Sequence, residues 1–406
     1  MRSVDVFAPY RVFGITWSLA IGLADLKFSY YQHDWSAFSW LVLLTGVFSM
    51  MLGFFIVGVA FLDRPILTIT QLRKRLSQEQ ISERRLFWAI ILLSVLYGVS
   101  LLVEAVIAGG LPAFVARPDR ARVDFGVFGI HLFVTMMPSI LLLGVQYLVL
   151  FWKNISGFRK SLILAVCLIV FISFSFLLQR FSFVMWVVPT FVFVYYMTGK
   201  FRFRHILLLG GIVLGFFQVL MSIRITGYVE NYIYVISRMK FPVKYAFLAE
   251  PYMYITMNLE NFARSVELWK SYSFGYFSFD FLMALSGLKH PLAKEFGLVE
   301  RPFLISGYNT FSFLMPFYQD FGVLGVAMIP LCLGSGIGYI YHVMRRNPTL
   351  ANVTIYGFGV YILVISFFIH ALGMLTTFSN LVLLLFVYYF VLKDRQRYGS
   401  RPGVNM

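Results

Sequence analysis

The sequence predicts an all-α polytopic membrane protein with about ten transmembrane helices and a long, partly helical outer connection. Three observations carry this. Of 406 residues, 60% are hydrophobic and only 13% are charged, roughly half the charged share of a soluble domain. Mean hydropathy is +0.79. Apolar runs of spanning length recur along the chain, separated by short connections that are alternately basic and nearly neutral. A cytoplasmic enzyme, a secreted module and a disordered chain are thereby excluded. Residues 1–406 read as one integral membrane domain.

A helix needs ~20 mainly apolar residues to cross the hydrocarbon core. Ten runs qualify, at approximately 12–26, 37–61, 86–107, 126–151, 161–178, 183–198, 206–223, 321–343, 352–371 and 379–392. The first has no small-x-small cleavage site behind it and reads as a retained signal anchor. Only Gln179-Arg180-Phe181-Ser182 separates the fifth run from the sixth, so these form either a tight helical hairpin or one long broken helix. The tenth is short. Cys167 and Cys332 both lie inside apolar runs and read as small core residues, not as a disulfide or a metal site.

The formal charge is +16. In a soluble chain this suggests nucleic acid, but here orientation explains it. With the N-terminus inside, the inner connections hold 20 basic residues against 5 acidic ones. They include Arg64 to Arg85, Lys153, Arg159, Lys160, Lys200, Arg202, Arg204, Arg345, Arg346 and the tail from Lys393 to Arg401. This is the positive-inside pattern, with both termini cytoplasmic.

Two outer segments are too long to be idle. One is 108–125, with Gly-Gly-Leu-Pro followed by a charged stretch. The other, 224–313, mixes Tyr, Phe and Met with isolated charges. Within it, 245–262 and 272–288 read as helices lying in or dipping into the interface. Glu260, Arg264 and Glu267 fall on one helix face.

Much chemistry is absent from the sequence. There is no Gly-x-x-x-x-Gly-Lys-Ser/Thr for ATP, no His-Glu-x-x-His and no Gly-x-Ser-x-Gly. The six histidines show no metal spacing. The run Gly334-Ser-Gly-Ile-Gly338 sits in mid-span, where small residues four apart read as helix-packing contacts. Near the first span Asp34 stands without a second carboxylate beside it. What is present is arginine at the outer ends of apolar runs: Arg122, Arg180, Arg224, then Arg238 with Lys240. An ionised guanidinium near hydrocarbon costs a few kcal/mol and faces a polar cavity or a partner, or snorkels to the headgroups. It is also the side chain suited to gripping phosphate bidentately. Asp320, flanked by Phe and Gly at a membrane boundary, reads as a helix N-cap, a salt-bridge partner, or a carboxylate that orients an attacking hydroxyl.

The string Gly307-Tyr-Asn-Thr-Phe-Ser-Phe-Leu-Met-Pro-Phe-Tyr-Gln-Asp-Phe-Gly-Val-Leu-Gly325 resembles a signature of the Wzy-type oligosaccharide repeat unit polymerases. Pro251-Tyr-Met-Tyr-Ile-Thr-Met-Asn-Leu-Glu-Asn-Phe262 is similar to the family's long-loop segment. So are Gly109-Gly-Leu-Pro112 and Ala121-Arg-Val-Asp-Phe125 in the earlier loop. Gln179-Arg180-Phe181-Ser182 keeps the family's Arg and Ser without its Gly. The resemblance implies a GT-C-like fold in the bacterial inner membrane, with its site facing the periplasm. It implies a glycosyltransferase that moves a growing glycan en bloc from one undecaprenyl diphosphate onto a repeat unit on another, making O-antigen, capsule or exopolysaccharide. No cofactor, metal or nucleic acid is implied; a chain-length regulator is an implied partner. Carried over residue by residue, it places Arg122, Arg180 and Arg224 on diphosphate and Tyr308 and Asn309 on sugar or phosphate. Asp320 becomes the orienting carboxylate, with Glu250 and His290 as further candidates for the base.

Three other readings remain at this stage. An O-antigen-type ligase uses the same donor with a different acceptor. A lipid-linked oligosaccharide transporter would carry charges inside mid-span helices and twofold internal similarity, and the sequence has neither. A purely structural partner of a length regulator leaves the long connection unexplained.

Overall fold

Helices follow one another along the chain with no paired strands among the described residues, apart from one isolated antiparallel bridge between Ser29 and Met239. The computed structural model describes residues 5–199, 208, 210–212, 215–220, 223, 229–295, 297, 298, 304, 305 and 307–392. Arg224, the cations Lys200, Arg202 and Arg204, and the basic tail from Lys393 lie outside the described residues.

Among the described residues, seven helices are long and apolar enough to cross a membrane: α2 (Ala37–Ala60), α4 (Glu83–Ile107), the pair α6 (His131–Val134) and α7 (Met137–Phe151), α8 (Gly157–Ser175), α9 (Phe181–Thr198), α15 (Leu314–Arg346) and α17 (Leu375–Leu392). Three of the ten expected spans are shorter helices: α1 (Pro9–Asp25), α10 (Gly210–Leu220) and α16 (Leu350–Ile365). At 1.5 Å per residue, the sixteen residues of α16 reach ~24 Å. The fifth and sixth runs form two separate helices, because Leu178 takes a left-handed φ of 59° in the turn between them. The eighth run begins seven residues before its expected start, and α15 kinks at Gly322 (φ 60°, ψ −145°), which leaves Asp320 in the short arm before the kink.

Contacts divide the chain into two compact units, each assembled from separate stretches. The first comprises 1–66, 228–346 and 359–377; the second 67–227, 347–358 and 378–406.

In the first unit α2 lies along α15. Glycine permits this: a Cβ at Gly53 would meet the Leu331 carbonyl, and one at Gly334 would meet that of Met50. Apolar attraction between helices is weak in lipid, so close backbone approach supplies the packing energy. Of the glycine run read from sequence, Gly334 makes this contact and Gly336 has nothing within 4 Å. Gly334→Val should therefore force the helices apart, at about 1–3 kcal/mol or more, whereas Gly336→Val should be silent. Thermal unfolding of the two purified variants checks this; equal midpoints would refute it.

Phe13, Trp17, Phe54, Phe313 and Phe317 fill the core, and Trp17 Nε1 donates to Ser366 Oγ at 2.8 Å. At the end remote from the long connection, buried Arg345 pairs with Asp5 at 2.6 Å, and the Tyr341 hydroxyl donates to the same carboxylate at 2.9 Å.

The connection itself folds into α11 (Val229–Ile236), α12 (Ala249–Leu268), α13 (Asp280–Leu285) and α14 (Lys289–Glu295). α12 is more than an interfacial helix: it packs on α1, α2 and α15, and fourteen of its residues, from Ala249 to Val266, are buried. Of the stretch 272–288, only the end is helical; the rest is held as a loop by hydrogen bonds to α15, described below.

The second unit gathers α3 (Ile69–Ser77), α4, α5 (Pro118–Asp124) and α6 to α9 with α17 and the first part of α16. Its interior is cross-linked by polar groups. Gln146 Nε2 donates to Thr354 Oγ1 at 2.9 Å, and Tyr388 OH donates to Gln146 Oε1 at 2.9 Å. Ser139 donates to Asn380 Oδ1 at 2.5 Å, and Asn380 Nδ2 to the Thr135 carbonyl at 2.8 Å. Such bonds hold apolar helices in register where burial alone does not.

Candidate functional site

In the first unit the end that carries the long connection is organised around Tyr31. Residues 28–30 run beside 238–240: Tyr30 N donates to the Arg238 carbonyl at 3.0 Å and Lys240 N to that of Phe28 at 2.7 Å. This brings the Arg238 guanidinium over the Tyr31 ring, 5.6 Å from its centroid, and Lys240 over Tyr30 at 5.2 Å. Arg264 Nη2 donates to the Tyr31 carbonyl at 3.1 Å. Arg238 and Lys240 are exposed, and Arg264 is half-buried. One guanidinium thus lies over the Tyr31 ring and a second bonds the Tyr31 backbone carbonyl, which brings two cations to one residue.

Beneath them Tyr31 and Tyr308 pack on an apolar cluster of Met239, Ala249, Tyr252, Met253, Met257 and Ile305. The Tyr308 hydroxyl meets Ser237 Oγ. Burial pushes the Tyr308 phenol up to about 12, with Tyr31, Tyr254 and Glu250 adding smaller effects in the same direction against the Ser237 hydrogen bond. Glu250, buried in the first turn of α12, is therefore within electrostatic reach of Tyr308. Asn309 is exposed beside it. The segment is fastened by Asn261, fully buried: its Nδ2 donates to the carbonyls of Tyr308 (3.2 Å) and Thr310 (2.8 Å), and its Oδ1 accepts from Ile305 N at 3.0 Å.

Arg264 is oriented by a carboxylate. Glu260, fully buried, accepts from Arg264 Nε at 3.4 Å, from Trp35 Nε1 at 2.8 Å and from His33 Nδ1. His33 Nε2 faces Glu267 at 3.3 Å. Burial opposes ionisation of Glu267, but the Ser36 amide, His33 and the Ser39 hydroxyl outweigh it and hold its carboxyl below the usual glutamate range. Asp34 pairs with Lys27.

The structure brings Tyr308, Asn309 and Glu250 to this cluster. The exposed His290 sits on α14, whose Lys289 pairs with Asp280 at 2.8 Å. Asp320 is engaged elsewhere. Fully buried, it accepts Phe277 N at Oδ1 (3.2 Å) and Ser278 N at Oδ2 (2.5 Å), while its carbonyl accepts Phe274 N at 3.2 Å. Its side chain caps the loop 273–279, neither a helix N-terminus nor an arginine.

Arg122 and Arg180 belong to the second unit. Arg122 lies on α5, next to the turn Pro112–Phe114, whose Ala113 N donates to the Phe176 carbonyl at 3.0 Å; Arg180 begins α9 four residues after Phe176. The chain after α5 is held by Glu104, fully buried in α4, which accepts Val127 N at 2.9 Å and His131 Nδ1 at 3.0 Å. Both arginines thus belong to neighbouring loops at one end of that unit.

Sequence reasoning passed over Tyr31, Asn261, His33 and Glu104. Their partners lie 23 to 233 residues away, so no local spacing marks them; the single signal was the acidic and basic face of 260, 264 and 267.

The fold and site define an all-α integral membrane protein with a folded, cation- and tyrosine-bearing connection at one end. Compared with family models, curated proteins and solved structures, the chain matches none of them.

Proposed function

We propose that this protein polymerises undecaprenyl-diphosphate-linked oligosaccharide repeat units at the outer face of the bacterial inner membrane. It is a multi-pass protein with ten spans, a GT-C-like arrangement and both termini in the cytoplasm. The observation that carries this reading is that Arg238 and Arg264 of the long connection both engage Tyr31 of the first, Arg238 over its ring and Arg264 at its carbonyl, with Tyr308 packed on the same apolar cluster. The side assignment rests on the basic inner connections.

The reaction asks little beyond positioning and charge. An acceptor hydroxyl attacks the anomeric carbon of the growing glycan. The bond from that carbon to the diphosphate oxygen breaks, the lipid diphosphate leaves with the electron pair, and the hydroxyl proton passes to a carboxylate. Guanidinium groups already in place stabilise the departing charge without reorganising. Holding two lipid-bound reactants together supplies the entropic part. In this reading Arg238 and Arg264 hold a lipid diphosphate; Arg122 and Arg180, in the second unit, are separate candidates for the same chemistry. Tyr31 and Tyr308 stack on sugar, and Glu250 takes the proton. A chain-length regulator would act on the same polymer.

The test is complementation of a deletion strain, read as a polymer ladder. Arg238→Ala with Arg264→Ala should collapse the ladder to a single unit by about a hundredfold or more, on loss of two charge-assisted contacts, and paired Lys substitutions should restore part of it. Persistence of the ladder refutes the reading, and loss of single-unit transfer as well indicates a ligase.

A further inference from the structure

Within the second unit, α4 and α8 make few contacts with each other and leave a groove of about 880 Å³ between them. Its floor is Phe87, Tyr97, Leu101 and Val170, all buried, and its rims include Val95, Leu102 and Ile169, each more than half exposed. Along α8 it runs from Ser156 to Ser173, ~26 Å at 1.5 Å per residue. No side chain fills its middle: Gly98 lines it and a Cβ there meets nothing within 4 Å. The Tyr97 hydroxyl is turned aside onto Ser173 Oγ at 2.9 Å, so the floor presents an apolar surface.

The two ends differ in charge. At the end formed by the start of both helices stands Arg159, which lines the groove and bonds Glu83 at 2.8 and 3.0 Å. Once that pair is discounted, exposed Arg84 and Lys153 and half-buried Lys160, 5.0 Å over the Trp152 ring, lie within a few residues in sequence of those lining this end, so the chain about the mouth carries net positive charge. It is the opposite end of the unit from Arg122 and Arg180, so it is not where the proposed substrate's headgroup would lie. Basic pockets between membrane helices recruit anionic headgroups, each cation near the surface contributing about 1 kcal/mol.

We propose that this groove binds an anionic glycerophospholipid, one acyl chain lying along Tyr97, Gly98 and Val170 and the phosphate at Arg159 and Lys160. The site stands independently of the polymerase reading.

Trp88 lines the groove and reports on it. The protein is reconstituted in phosphatidylcholine vesicles containing a few mole per cent of brominated phosphatidylglycerol or, separately, of brominated phosphatidylcholine. The anionic lipid should quench more strongly at equal mole fraction, and Trp88→Phe should abolish that excess. Arg159→Gln or Lys160→Gln should lower the apparent affinity for it about fivefold each. Because Arg159 also holds Glu83, its loss risks the fold. Lys160→Gln and Gly98→Leu, which fills the groove without a clash, decide the matter where Arg159→Gln shows no cooperative thermal transition. Equal quenching by both lipids overturns the proposal. So does an excess that survives Trp88→Phe, or one that survives both Lys160→Gln and Gly98→Leu.

Discussion

Glu260→Gln is expected to cost the protein both stability and polymer. The carboxylate is fully buried and receives three donors from two directions: His33 and Trp35 from the first connection and Arg264 from its own helix. A glutamine of the same size presents one acceptor and one N–H₂ to a shell made only of donors. Breaking one member of a buried charge set costs about 3–5 kcal/mol; partial exposure of His33 and Arg264 screens this to about 2 kcal/mol. The functional loss is expected to be larger than the thermal shift. Without Glu260, Arg264 keeps its bond to the Tyr31 carbonyl but loses the carboxylate that aims it, and His33 and Trp35 lose their common acceptor on α12. Chain extension should fall about tenfold or more if the guanidinium loses its aim by roughly an ångström. Trp35→Phe removes one neutral donor from a charged acceptor and, with Trp35 half-buried, should cost about 1.5 kcal/mol. Thermal unfolding and ladder length, measured on both variants, decide. A Glu260→Gln protein with wild-type midpoint and ladder would show that the three donors are satisfied by water.

The sequence was most legible where physics is local. Among the described residues, hydropathy located each helix of spanning length, since burial in lipid leaves the backbone no partner but itself. It did not place their ends. The start of α15 was missed by seven residues because Leu314-Met-Pro-Phe-Tyr-Gln-Asp carries helix and loop signals together, and only the kink at Gly322 shows that a short arm precedes the span. The site was half legible. Tyr308 and Asn309 lie in a string that carries the resemblance and Glu250 immediately precedes another, and the structure collects them. Tyr31 and His33 carry no mark of their own: each acquires its place from α12, more than 200 residues away. Arg238 was visible as a charge but not as a partner of Tyr31, because the pairing of 28–30 with 238–240 is a long-range backbone event. Asp320 was noticed for the right reason, a carboxylate among apolar neighbours, yet its partners are amides. Backbone donors leave no trace in composition, so that alternative was invisible before the fold.

Asp320 accordingly offers the sharpest contrast between a structural and a chemical carboxylate. It joins three pieces of chain. Its oxygens take the amides of Phe277 and Ser278, and the Ser278 carbonyl in turn faces His370 Nε2 at 3.1 Å. The His370 ring packs edge-on against Phe317, one turn before Asp320, at 4.9 Å between centroids. Asp320→Ala leaves two buried N–H groups without acceptors, at about 1–3 kcal/mol each, so about 2–6 kcal/mol in all, among the largest single-residue losses expected in the chain. Asp320→Asn keeps one acceptor oxygen and sets an N–H₂ against the other amide, so its cost should fall between wild type and alanine. If the carboxylate serves only to fasten the loop 273–279, activity should track stability across this series, and Asn should retain part of both. Proteolysis between Ser273 and Ser278, slow in the wild type, should quicken in the same order. If instead Asp320→Asn melts with the wild type yet makes no polymer, the negative charge itself is needed by the reaction. The loop would then have to move aside to expose it, and the assignment of the proton to Glu250 would pass to Asp320.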